Sequence, residues 1–354
     1  MARTQSGCAV SRSEEMSSGR RDLVDVERLR TRCPVCGSRR RCSVRSDGSL
    51  AICYHTGSGR ESKDGGWVHR LDEATAARIP RVEALPPECA LATDDVLDRA
   101  YRALLAQCGL SSAHRAALLQ RGLSAEHVAT AGYASLERDG RAALGRAIVD
   151  AVGQDAARGV PGYVLRGEGF ERWPSIAGSP GLLVPCRDLA GRVLGVQVRR
   201  DNPAPEQGRY AWLSSRSQGG AGRPTFAHVP ALVRSDEREL IVTEGPIKAD
   251  VVTALTGRFC IAIPGVSAWA HAVALASQVR PSLVWLALDA DLSINRHVAL
   301  ALDRLREGMR AAGLRYRVLR WPLAEGKGID DLIARHGARA FARAVAWTER
   351  HEAQ

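Results

Sequence analysis

The residues of this 354-residue chain that could do chemistry fall into two groups of opposite character. Toward the carboxyl end, ELIVTEGPIKAD closes an apolar run on Glu244, SLVWLALDAD closes another on Asp289 and Asp291, and EGKGIDDLI adds Asp330 and Asp331. Carboxylates gathered in one crevice repel one another, so such a set needs a cation among its members. Hard oxygen donors suit Mg²⁺ (or Mn²⁺), held by a few carboxylates together with substrate phosphates. Alternation along a strand points Asp289 and Asp291 to the same side, where they share one metal or hold two. The alternative is a solvated acidic loop after a buried strand. Lys248 stands one helical turn after Glu244, placed to pair with that acid or to reach a phosphate.

The second group is soft. Cys33-Pro-Val-Cys36-Gly is a tight knuckle, Cys42 follows closely, and Cys53 ends SDGSLAIC, which reads as a hairpin and returning strand. A CxxC knuckle and a hairpin bring four thiolates onto one ion in the closed tetrahedral arrangement of a structural Zn²⁺ site, with His55 as the rival fourth ligand. Arg39, Arg40, Arg41 and Arg45, with Tyr54 and Trp67 nearby, would make a platform for single-stranded nucleic acid or simply a solvated charged face.

The elements that must position the carboxylates follow from the pattern of apolar runs. ELIVTE, FCIAIPGV and SLVWLALD are nearly continuous rather than alternating and are separated by helical lengths, which predicts a βαβαβ segment of a parallel sheet. Ligands of open parallel sheets sit beyond the carboxyl ends of the strands, where Glu244, Asp289 and Asp291 fall. NRHVALALDRLREGMRAAG predicts a further helix, RYRVLRWP a strand and DDLIARHGARAFARAVAWTE closing helices. Upstream, GLLVPCRD and RVLGVQVRR predict a β-hairpin with Arg187, Arg199 and Arg200 at its ends, followed by Arg209 beside Tyr210. Residues 93–160 predict a small helical subdomain in which His114 and His127 are surface or satisfied core residues.

TEGPIKAD, LALDAD and EGKGIDDLI together resemble the TOPRIM domain of bacterial-type primases, topoisomerases and some nucleases, in the form found in primase-like proteins of phages, plasmids and mobile elements. The resemblance extends to CPVCG…RCSVRSDGSLAIC…GGWVHRL, similar to the small zinc domains that precede that core, although no second CxxC closes the site here. It implies an α/β fold: a tail (1–24), a zinc ribbon (25–72), a linker (73–92), a helical subdomain (93–160), a mixed α+β basic subdomain ending in a β-rich part (161–235) and a TOPRIM parallel-sheet domain (236–354). It implies primer synthesis from nucleoside triphosphates on single-stranded DNA. Glu244 would organise a metal or relay a proton, Asp289, Asp291 and Asp330 would bind Mg²⁺ with Asp331 beside them, and Lys248 would assist. Arg187, Arg199, Arg200, Arg209 and Lys327 would hold nucleic acid or nucleotide. The family has acid, proline, acid where this chain has adjacent aspartates, so Asp331 need not face the same metal. The rival classes are a TOPRIM nuclease using the same carboxylates to activate water, and a non-catalytic DNA-binding replication accessory protein.

Composition narrows the partners. The formal charge is +11, from 50 basic against 39 acidic residues, which favours nucleic acid. Only three of those basic residues are lysines, and two of them, Lys248 and Lys327, lie in the carboxylate motifs. Nine unevenly spaced cysteines do not form a secreted disulfide framework, no apolar stretch is long enough to span a membrane, and the expected location is the cytoplasm. With no Walker A loop, helicase activity would come from a separate protein.

Overall fold

The computed structural model describes residues 23–352 apart from 28, 30, 40–41, 63–65, 81–88, 168–170, 204–207, 223–224, 232–237, 266–267 and 291–295; for 296–298 and 338 it describes the backbone alone. Asp291, Arg40, Arg41 and nearly all of the expected tail lie outside the described residues. The chain divides into two compact units, residues 1–87 and 88–354.

The first unit is an antiparallel sheet in sequence order, β1 (Leu23–Asp25), β2 (Ser43–Arg45), β3 (Leu50–Cys53) and β4 (Trp67–Arg70), followed by the short helix α1 (Glu73–Ala76). Leu23 and Val24 therefore belong to a strand rather than to a tail, and the segment expected to be a linker begins as a helix capped by the Asp72 side chain. Strand alternation buries Val24, Val44, Ala51 and Cys53 on one face. Among the described residues the buried apolar cluster of this unit has eight members, three of them cysteines, a small core that a bound metal would supplement.

The second unit begins with α2 (Asp94–Gln107), α3 (Ser112–Leu119), α4 (Ala125–Ala131), α5 (Arg141–Val152) and the short α6 (Gln154–Ala157). Ser111 and Ser124 cap α3 and α4, and at α4 the reciprocal partner is His127 at the third position. The segment is not wholly helical. Ala134–Leu136 forms β5, which pairs antiparallel with β8 (Gly181–Arg187). The predicted hairpin is β8 with β9 (Val193–Arg200), and β10 (Tyr210–Trp212) completes a sheet of order β10-β9-β8-β5. A separate hairpin, β6 (Tyr163–Arg166) with β7 (Trp173–Ile176), precedes it.

All seven residues of β8 are buried, because both faces of the sheet are covered. Leu183, with Val196 and Val198 across from it on β9, packs into the helical core of Leu97, Tyr101, Leu104 and Ile148. Leu182 and Val184 pack in the other direction, with Leu118, Val128, Ile247 and Val251. Period-2 alternation thus sends successive residues of one strand into two different cores.

The remaining layer is a parallel sheet of order β12-β11-β13-β14, with β11 (Glu239–Glu244), α7 (Pro246–Thr256), β12 (Phe259–Ile263), α8 (Trp269–Val279), β13 (Leu283–Leu286), α9 (Arg296–Ala311) and β14 (Tyr316–Val318). Helices α10 (Ile329–His336) and α11 (Ala340–Glu352) close the chain. Its two faces are covered separately. Leu240, Val242, Ile261 and Leu286 meet Leu302, Leu305 and Met309 of α9, whereas Ile241, Trp285 and Cys260 meet α7, α10 and α11. Among the described residues no helix is long and apolar enough to cross a membrane.

A buried polar network joins the antiparallel layer to α7. The Tyr133 hydroxyl donates to Asp250 Oδ2, and Asp250 Oδ1 lies 3.2 Å from His228 Nε2. The Arg187 backbone N–H donates to His228 Nδ1 at 3.1 Å, which places the imidazole proton on Nε2, facing the carboxylate. Burial, followed by the charge of Asp250, pushes the Tyr133 phenol well above its ordinary range, so the hydroxyl remains a donor throughout the neutral range. Tyr133→Phe leaves a buried carboxylate oxygen unpaired and is expected to lower stability by about 1–3 kcal/mol, measured by urea unfolding of the full chain. A change indistinguishable from zero would contradict this account of the interface.

Candidate functional site

In the parallel sheet β11 has β12 on one side and β13 on the other, so the chain order reverses at β11 and leaves a crevice at the carboxyl ends of β11 and β13. Glu244 is the last residue of β11 and is half-buried. Gly245, at φ 92°, turns the chain directly into α7, with Pro246 at the first helical position. The β13 extension carries Asp289 to the same end, with the Ala287 N–H still bonded to the Val242 carbonyl at 2.8 Å.

Lys248 lies in the first turn of α7, where the helix dipole disfavours a cation. Its ammonium group contacts Asp289 Oδ1, a partner beyond the two that spacing offers, Glu244 and a phosphate. Lys327 Nζ lies 3.9 Å from Asp289 Oδ2 on an exposed side chain, and its carbonyl accepts from the Ala290 N–H at 2.8 Å, fastening the 326–328 turn to the end of β13. Asp330, in the first turn of α10, is 4% exposed and takes a 2.7 Å ion pair from Arg121 NH1 on Oδ2, while Oδ1 is buried without a hydrogen-bond partner. Burial raises the carboxyl above its ordinary range, and the charges of Lys248 and Arg121 oppose that rise. Gly328 is where these groups crowd: a Cβ there would come within 2.3 Å of Asp330 Oδ1 and 3.0 Å of Lys248 Nζ.

Asp331 plays a different part from the one expected. It is exposed, and its Oδ2 accepts from the Gly328 N–H at 3.0 Å, capping α10, so adjacent aspartates point apart and only Asp330 turns inward. Among the described residues, Glu244, Asp289 and Asp330 do not draw their oxygens into one compact ligand set. What stands among them is lysine and arginine. Arg121, just past the end of α3, could not be found from sequence, because nothing local to SSAHRAALLQRG marks it as facing an acid 209 residues away.

The basic residues expected to hold nucleic acid separate by burial. Arg187 is 7% exposed, donates to the Ala131 carbonyl at 2.8 Å, and is lowered from its usual pKa chiefly by burial. Arg200 is also buried and donates to the Gly208 carbonyl, holding the loop after β9. Neither presents its guanidinium at the surface, as a phosphate contact would require. Arg199 is half-buried on the sheet face that also carries Leu182 and Tyr210, and its Nε lacks a hydrogen-bond partner. Arg209 and Tyr210 are exposed. His114 is satisfied, with Nδ1 2.7 Å from Ser135 Oγ and Nε2 2.7 Å from Asp201 Oδ1.

In the amino-terminal unit the sulfurs of Cys33, Cys36, Cys42 and Cys53 all lie within 4.8 Å of one another, whereas His55 is exposed and outside the set. Cys36 to Cys42 is 3.8 Å and Cys42 to Cys53 is 4.0 Å. Those spacings are far beyond a disulfide and match the roughly 3.8 Å edge of a tetrahedron with Zn–S bonds of about 2.3 Å. The His55 and Thr56 backbone N–H groups donate to Cys53 Sγ at 3.4 and 3.2 Å, as they would to a thiolate. The hydrogen bond from Cys42 holds the Cys33 thiol down to about 5, and the same contact pushes Cys42 up. The four sulfurs form a cluster able to hold a structural Zn²⁺.

Comparison with known proteins bears on the fold. Residues 231–340 match a family described as a domain of unknown function (DUF3854). No curated protein matches the chain by sequence. Among solved structures, the chain is similar to the zinc-binding and RNA polymerase domains of the Aquifex aeolicus primase, at 14% identity and TM-score 0.57, covering 94% of this chain and 85% of that one. It is similar to the RNA polymerase domain of Mycobacterium tuberculosis primase DnaG, at 17% identity and TM-score 0.56, over 72% of this chain and 84% of that one. A DnaG primase catalytic domain bound to ssDNA matches at 18% identity and TM-score 0.52, over 72% and 78%. The chain thus has a mixed α/β body with a TOPRIM-like parallel sheet, similar in fold to primase catalytic domains.

Elemental analysis of chain purified without chelator is expected to find about one zinc per molecule, lost in Cys53→Ser and retained in His55→Ala. Zinc-free parent protein, or loss of the metal in His55→Ala, would overturn the four-cysteine assignment.

Proposed function

We propose that the chain is a primase-like nucleotidyltransferase that makes short primers on single-stranded DNA. The observation that carries this reading is the place of Asp289 and Glu244 at the carboxyl ends of neighbouring strands at the topological switch, with Lys248 linking Asp289 to the neighbourhood of the buried Asp330, in a sheet whose fold resembles primase cores. The donor set fits a hard cation: carboxylate oxygens, one of them, Asp330 Oδ1, buried without a hydrogen-bond partner. Mg²⁺ or Mn²⁺ held by Asp289 and Asp330 would supply the positive charge that steadies a triphosphate and its attacking hydroxyl in phosphoryl transfer.

The chain's own residues have distinct tasks in that scheme. Arg121 fixes the Asp330 carboxylate at 2.7 Å and thereby its open oxygen. Lys327, more than half exposed and 3.9 Å from Asp289 Oδ2, would lie within reach of an incoming phosphate. Arg209 and Tyr210, exposed side by side, would offer a phosphate contact and a stacking face to single-stranded template, with Arg199 beneath them on the same sheet. The charge of +11 favours such a partner. Any unwinding of duplex would fall to a separate helicase.

Incubation with single-stranded template, Mg²⁺ or Mn²⁺ and labelled nucleoside triphosphates is expected to give short new oligonucleotides, abolished by Asp289→Ala in a chain that remains folded. Shortened template without incorporation would instead establish a nuclease. Template binding with neither product would establish an accessory protein. Synthesis surviving in Asp289→Ala would remove the carboxylates from the mechanism.

A further inference from the structure

The first unit carries a hollow on the side of its sheet away from the cysteines. Alternation along the strands sends Val24, Val44, Ala51 and Cys53 to the buried face. The opposite face has Leu23 across from Arg45, Leu50 from Arg70 and Ile52 from Val68. Together with Arg60 these residues line a cavity of about 520 Å³, within the roughly 300–1,000 Å³ of small-ligand sites. Its floor is aliphatic and partly exposed, and three arginines stand around it.

The third arginine is brought there by the segment before β4. The Val68 N–H donates to the Arg60 carbonyl at 2.9 Å, and Ser58 Oγ accepts from the Arg60 N–H at 3.3 Å while donating to the Val68 carbonyl at 2.9 Å. The lining includes no acid. The acids of β1 and of the β2–β3 turn are engaged elsewhere, Asp25 by Ser43 Oγ at 2.8 Å and Asp47 by the Ser49 N–H at 2.8 Å. Among the described residues none of the three arginines stands in an ion pair. Three guanidiniums around one hollow repel one another, and an aliphatic floor left in water contributes little to folding, so the fold alone does not account for the arrangement.

We propose that this cavity binds a nucleoside 5′-polyphosphate, supplied as a nucleotide or as the triphosphate end of a strand. Adjacent phosphates concentrate several negative charges at one place, which suits guanidiniums that converge on one hollow and can each bind two phosphate oxygens. The aliphatic floor takes the base. An internal stretch of single strand fits less well, because it presents one charge per nucleotide along a track and needs aromatic stacking faces. No aromatic residue lines the cavity, and Trp67 is buried. The site belongs wholly to the first unit and does not rest on the reading of the carboxylate crevice.

The test is calorimetric titration of full-length, zinc-loaded protein with ATP, with inorganic triphosphate, and with a short oligonucleotide carrying or lacking a 5′-triphosphate. Divalent metal is left out of the buffer, so that no metal-bridged binding at the carboxylates contributes. Binding of ATP or of the triphosphorylated oligonucleotide is expected, weakened about tenfold by either Arg60→Gln or Arg70→Gln. Zinc content and circular dichroism confirm that each variant is folded. The tighter of the two ligands identifies the source of the polyphosphate. Binding of neither, or binding indifferent to both arginine substitutions, would overturn the site. Inorganic triphosphate bound as tightly as ATP, or the oligonucleotide bound equally without its triphosphate, would overturn the assignment of the ligand.

Discussion

Asp289 and Asp330 are taken out of water at one end of a parallel sheet, and an uncompensated buried carboxylate costs several kcal/mol. The cations that offset this come from different parts of the second unit: Lys248 from the helix after β11, Lys327 from the turn before α10, and Arg121 from the helical segment more than 200 residues upstream of its partner. The ion pairs therefore do two things at once. They make a crevice of acids tolerable, and they tie the helical layer and the α10 turn to the sheet. The site and the packing of the layers depend on the same few charges.

The double-faced antiparallel sheet extends that dependence. Leu182 and Val184 of β8 pack on α7, the helix that carries Lys248, while Leu183 packs on the helical core. The Tyr133–Asp250–His228 network fixes the same helix at Asp250, two residues after Lys248. Helix α7 is thus held by apolar contact, by a buried hydrogen-bonded network and by the ion pair at its amino terminus. A lysine tip placed between two acids needs such support, because small movements of a charge in a low-dielectric setting change its energy steeply.

Much of this was legible in the chain before any coordinates. Continuous apolar runs of β length separated by helical lengths imply a parallel sheet, and strands that are parallel neighbours bring their terminal acids, Glu244 and Asp289, to one end. The CxxC knuckle and hairpin likewise imply four sulfurs around one point, and the structure leaves His55 out. What sequence could not convey is partnership across layers. Arg187 and Arg200 look like exposed strand-end arginines but are sealed in by loops and by α4, and Arg121 is a surface arginine by every local sign yet reaches Asp330. Adjacent aspartates carry no mark of which one caps a helix and which turns inward. Helical spacing leaves Lys248 open to Glu244 or to a phosphate and carries no sign of Asp289, which the first turn of α7 brings it to at the end of β13.

The central physical claim is that the Lys248–Asp289 pair holds the site in place. A double-mutant cycle on metal-free full-length protein, with Lys248→Met, Asp289→Asn and the combination followed by urea unfolding, measures that coupling directly. The pair is expected to be coupled by about 1–3 kcal/mol, the double variant costing that much less than the sum of the two single substitutions. Additivity within roughly 0.3–0.5 kcal/mol, the range for independent sites, would contradict the account.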